Sequence, residues 1–229
     1  MSPDPSFQIL QYFGIDNKYS YYSVLIDKSV IITNHHPVIH TIILGSCVKL
    51  GSILFNSINA GLFIYSIIQT TILAGTLSYT IKFLKDINID LKYRKKCLLI
   101  YTLVPVFPLY AMSPVKDVIF GCLIIIYIIT IYKFINLKSK LKIKDMLKEL
   151  ILMILIILFR NNGFHVVFLS FFFLFFLGKE NRVRYVIIFL LMIFFNFSYN
   201  KVILPHYKVT GGSIKRGIIS SISADSKVC

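Results

Sequence analysis

Four short motifs hold most of the residues able to do chemistry. In SPDPSFQ, Asp4 stands between two prolines, which favour an extended backbone around it. A carboxylate presented this way can act as a general base or bind a cation; it can equally cap a helix over residues 6–13. NHHPVIHT supplies His35, His36 and His40. His36 and His40 at i, i+4 have the spacing of half a metal site, but no HExxH glutamate or third ligand accompanies them. Hydrogen bonding to a substrate or to a lipid phosphate suits them better. SPVKDV places Lys116 beside Asp117; the lysine offers charge to a phosphate, and the aspartate suits a helix N-terminus. FRNNGFH brings Arg160, Asn161, Asn162 and His165 around Gly163. Arg160 follows a long apolar run, so its stem can snorkel and hold the guanidinium at headgroup depth. There it is suited to fork onto a phosphate. Gly163 is expected to permit a tight reversal.

These residues need elements to position them, and the composition says what kind. Of 229 residues, 56% are hydrophobic, with 20 Phe and no Trp, and the mean hydropathy is +0.75. One soluble core cannot hide that much apolar side chain. The expected fold class is all-α, a polytopic transmembrane helix bundle. Six apolar stretches are expected to span: 58–83, 97–112, 117–135, 147–159, 164–178 and 185–199. Only RNNG parts the fourth from the fifth, which predicts a tight helical hairpin. The run 38–55 contains His40, Thr41, Ser46, Lys49, Gly51 and Ser52, and is expected to lie along the interface, with a crossing as the alternative. Gln69 falls mid-span and is expected to bond another helix. The predicted organisation is an external segment over 1–57, a six-span domain over 58–199 and an external, irregular tail over 200–229. The start of the chain lacks the basic and apolar regions of a signal peptide.

Charge orients the bundle. The net charge is +15, which in a soluble chain would suggest nucleic acid. Here fifteen of the 25 Lys and Arg fall in three alternate linkers, 82–96, 133–148 and 179–184. The positive-inside rule puts those linkers in the cytoplasm and the four motifs outside the cell membrane; no nucleic-acid partner is predicted. All five histidines then gather on the outer side, His206 included. The four cysteines are scattered and read as small hydrophobes. No P-loop, dinucleotide-binding loop or nucleophile elbow occurs. No cofactor is predicted, and a divalent cation is compatible but not required.

The order of SPDPSFQ, HHPVIHT, SPVKD and FRNNG along a polytopic chain resembles bacterial membrane glycosyltransferases of the GT-C type, over roughly residues 1–208. The resemblance implies transfer of a sugar from a polyprenyl-phosphate donor at the outer membrane face, with membrane lipid as surroundings. It implies Asp4 as the catalytic acidic residue. His35, His36, His40, Lys116, Asp117, Arg160, Asn161, Asn162 and His165 would then serve substrate or phosphate binding. Such enzymes carry a span before the acidic residue and a further C-terminal part, so the chain is expected to be a fragment. Two readings of other classes stand beside this one: a transporter or flippase for a lipid-linked or anionic solute, and a non-enzymatic membrane subunit.

Overall fold

The computed structural model describes residues 3–15, 32–136 and 141–209. Every regular element among them is helical, the form in which an apolar segment satisfies its own backbone. They group into two compact units, one drawn from Met1–Gly61 and Phe197–Cys229, the other Leu62–Asn196.

In the first unit, α1 (Pro3–Tyr12) packs on α2 (Val38–Phe55). From Pro3 onward the motif SPDPSFQ is therefore helical, not extended, and Asp4 lies in the first turn. The reason is positional: prolines are tolerated there because first-turn N–H groups have no intrahelical partner. A Cβ on Gly45 of α2 would overlap the Tyr12 ring, so glycine sets how closely the two helices approach. α2 ends at Asn56, whose φ is 49°; its N–H donates to the Ser52 carbonyl, and the Ser57 N–H to that of Gly51. That left-handed cap turns the chain into α3 (Ile58–Asp86). Gly51 and Gly61 meet at the crossing, where a Cβ on either would overlap the other helix's main chain. Small residues at a helix crossing are how helices pack closely in lipid.

The second unit takes α3 onward and adds α4 (Leu91–Leu103), α5 (Val106–Met112), α6 (Lys116–Ile135), α7 (Ile143–Phe159), α8 (Gly163–Leu177) and α9 (Arg182–Ser198). Its core joins Tyr127 of α6, Met153 and Ile156 of α7, Val167 and Leu174 of α8, and Ile188 and Met192 of α9. Phe171 and Phe189 stack at 3.9 Å between ring centres with their planes 14° apart. After α9 a π-helical turn, Tyr199–Ile203, leads into α10 (Leu204–His206). Pro205 has no N–H to give and its ring crowds the carbonyl four residues back, so a widened turn there has a local cause. Residues 200–209 are thus largely helical where an irregular tail was expected; 210–229 lie outside the described residues.

Among the described residues, four helices are long and apolar enough to cross a membrane: Val38–Phe55, Ile58–Asp86, Lys116–Ile135 and the run Arg182–His206. α4 and α5 make a fifth if taken together as one span bent by 51°. This departs from the six expected spans in two ways. The stretches 147–159 and 164–178 become helices of 17 and 15 residues. At 1.5 Å per residue these are about 26 and 22 Å long, short of a hydrocarbon layer of about 30 Å. They do form the expected hairpin. Conversely, α2, expected along the interface, has the length and composition to cross.

The α4–α5 bend has a sequence cause. Val104, ahead of Pro105, is extended with ψ 117°, as a residue before proline prefers. α5 then ends against α3, and its last carbonyls need donors. Gln69 supplies them: its Nε2 donates to the carbonyls of Tyr110 (2.9 Å), Ala111 (3.1 Å) and Ser113 (2.6 Å). Ser66 and Thr70, on the same face of α3, donate to Met112 and Ala111. Gln69 is fully buried, and the expected interhelical bond is present. Gln69→Leu is expected to destabilise the chain by about 1–2 kcal/mol, seen as a lower thermal midpoint in detergent; an unchanged midpoint would rule out this role.

Candidate functional site

The candidate residues fall into the two units and form one cluster in each. In the first unit, α1 and α2 are tied by buried polar side chains. His40 Nδ1 donates to Gln8 Oε1, an amide oxygen that can only accept. Thr41 Oγ1 donates to the same oxygen at 3.4 Å, and Gln11 Nε2 donates to Thr33 Oγ1 at 2.9 Å. His36 and His40 are buried, whereas His35 is exposed and packs edge-to-face on His36, ring centres 4.8 Å apart. This network holds α1 on α2 and so fixes where Asp4, half-buried in the first turn, is presented. His40 therefore has a structural duty in the α1–α2 contact.

In the second unit, the N-terminus of α6 meets the α7–α8 turn. Arg160 Nη1 lies 3.1 Å from Asp117 Oδ1, and its guanidinium carbon sits 5.1 Å from the centre of the Phe120 ring. Both charged side chains are about half exposed, at 45% and 50%, so the pair itself is worth at most about 1 kcal/mol. Its larger effect is orientation, because a planar guanidinium held by a carboxylate and an aromatic face keeps a fixed direction. One of its five N–H donors reaches Asp117. Asp117 lies in the first turn of α6, and Lys116 opens that helix. Asn161, Asn162 and His165 are exposed on the turn and the start of α8.

Gly163 does different work from that expected. It is the first residue of α8, without a left-handed φ, and its N–H donates to Arg160 O at 2.8 Å. A Cβ there would lie 2.8 Å from the Ile156 carbonyl carbon and overlap its oxygen. Close approach of two backbones, not reversal, requires glycine at this position.

Among the described residues, no three His, Cys, Asp or Glu side chains gather as a metal-ligand set. The sequence matches a family of unknown function, DUF6020, over residues 21–219. The chain belongs to the DUF6020 family. No curated protein and no solved structure matches the chain. The DUF6020 match takes in every candidate residue except Asp4, so α1 and its carboxylate lie outside the matched region.

Reading motifs alone missed one residue inside that region. Glu149 of α7 is 0% exposed, and neither carboxylate oxygen has a hydrogen-bond partner. A signal for it exists. Apart from Asp117 at the edge of its stretch, it is the single Asp or Glu within the six apolar stretches, and an ionisable group there marks a functional site by default.

Proposed function

We propose that the chain is a multi-pass membrane protein of the glycosyltransferase kind, taking a sugar from a polyprenyl-phosphate donor at the outer face. The observation that carries this reading is the Arg160 cluster. A guanidinium pinned by Asp117 and Phe120 stands beside Lys116 at the ends of apolar helices. Net cationic, oriented and near headgroup depth, it suits the phosphate of a lipid-linked donor. In the reaction an acceptor hydroxyl attacks the anomeric carbon as the bond to the phosphate oxygen breaks. Polyprenyl phosphate leaves, and the hydroxyl proton passes to a carboxylate, the role that the resemblance gives to Asp4. Arg160 and Lys116 offset the negative charge growing on the leaving phosphate. In this reading α2 lies along the interface, the basic linkers face the cytoplasm and the motif-bearing loops face the outside, as the positive-inside rule orients them.

The test uses the chain in proteoliposomes with a synthetic polyprenyl-phosphate sugar bearing a radiolabel. Label is expected to move to an acceptor, and Arg160→Ala is expected to raise the KM for donor roughly 10- to 100-fold. Arg160→Lys, which keeps charge but loses the planar fork, is expected to recover only part of this. Donor turnover unaffected by Arg160→Ala would remove the phosphate role. Movement of intact donor across the bilayer without transfer would favour a flippase.

A further inference from the structure

A cavity of about 430 Å³ lies within the second unit, walled by α3, α6 and α7. Its volume falls in the range of small-ligand sites. None of the residues of the four motifs lines it. Two carboxylates one helical turn apart, Asp145 and Glu149, share this wall with Lys148. Lys133 and Tyr79 face them from α6 and α3, and the remaining lining is largely apolar, with Leu152 among it. Lys133 already has company: its Nζ is 3.2 Å from the Tyr79 hydroxyl and 3.9 Å from Asp86. Glu149 has none, both its oxygens being buried and without hydrogen-bond partners. A buried carboxyl left this way is costly, and that cost is relieved by a ligand donating to it.

The lining states what kind of ligand. Two acids and two lysines line it, so it offers partners to both signs of charge, which matches a zwitterion. An acid pair selects an ammonium able to donate hydrogen bonds, and the lysines select a phosphate. Apolar walls beside them suit the start of an acyl chain. We infer that this cavity binds a phosphoethanolamine group, its ammonium on Glu149 and Asp145 and its phosphate on Lys148 and Lys133. The Glu149 oxygens, shielded from water, are reached by rotamer changes among the exposed lining residues, which are fast.

The source is either an intact aminophospholipid or the soluble headgroup, and both can be tested on the delipidated full chain in detergent. Native mass spectrometry would compare phosphatidylethanolamine with phosphatidylcholine and phosphatidylglycerol of identical acyl chains. The ethanolamine lipid is expected to bind roughly tenfold more tightly than either, since a trimethylated ammonium donates no hydrogen bond. Glu149→Gln is expected to erase that preference. Displacement of the lipid by millimolar O-phosphoethanolamine would assign the site to the headgroup alone, and resistance with the preference intact would assign it to the lipid. Equal binding of the three lipids by the unaltered chain overturns the inference and requires no variant to fold. So does a preference that survives in Glu149→Gln. If that variant does not fold, Lys148→Gln replaces it, with weaker binding expected and the ethanolamine preference retained; loss of neither affinity nor preference there counts against the site. None of these outcomes depends on sugar transfer.

Discussion

Asp4→Asn is expected to lower the rate of sugar transfer by about 10²–10⁴-fold, the usual contribution of a positioned general base. Asn keeps the size of the side chain and its place in the first turn of α1. It loses a charge near a helix N-terminus, worth about 0.3–1 kcal/mol, too little to account for a hundredfold loss of rate. The α1–α2 contact rests on Gln8, His40 and Thr41 and on the close approach at Gly45, all of which the variant retains. Donor KM and thermal midpoint should therefore stay near their starting values while kcat falls. Measuring kcat, KM and midpoint together separates a lost base from a loosened helix. A kcat unchanged in an otherwise active chain would take Asp4 out of catalysis. A fall in the midpoint matching the fall in activity would make it a helix-stabilising residue instead.

The second large effect is expected at Gly163. Gly163→Val would drive a branched side chain into the Ile156 carbonyl, against backbone that cannot rotate aside. Overpacking typically costs about 1–3 kcal/mol, and main chain as the obstacle puts this site at the upper end. Relief requires α7 and α8 to part, which also pulls Arg160 from Asp117 because Arg160 stands in the connecting turn. A sharply lower thermal midpoint in detergent is the expected reading, with donor affinity falling alongside. Gly163→Ala should show a smaller loss in the same direction. A midpoint within a degree of the unaltered chain for the valine variant would mean that the hairpin is not packed as described.

The helical class was legible because apolar runs of this length leave few alternatives, and the α7–α8 hairpin because RNNG is too short for anything but a turn. Gln69 was legible by the same logic: an amide amid apolar residues must find a partner. Lengths were harder. α7 begins four residues before its apolar stretch, in the charged sequence IKDM, because lysines and aspartate continue a helix as readily as they leave one. The helical start at Pro3 was obscured by the competing rule that proline favours extension. The pairing of Arg160 with Asp117 joins residues 43 apart in sequence, and no local pattern encodes such a contact. Glu149 escaped notice because it belongs to no motif; its burial comes from α6 and α7 packing together, which spacing alone does not report.

The bond between Gln69 and the end of α5 also bears on how the chain is made. α5 is seven residues long, and in the multi-pass reading its bare carbonyls would be stranded in hydrocarbon during insertion. Their donor sits on α3, about forty residues earlier in the sequence. Synthesis runs from the N-terminus, so the glutamine emerges from the ribosome before the carbonyls that need it. The order of translation thus delivers the acceptor segment to a partner already waiting, and α5 requires no time alone in the lipid.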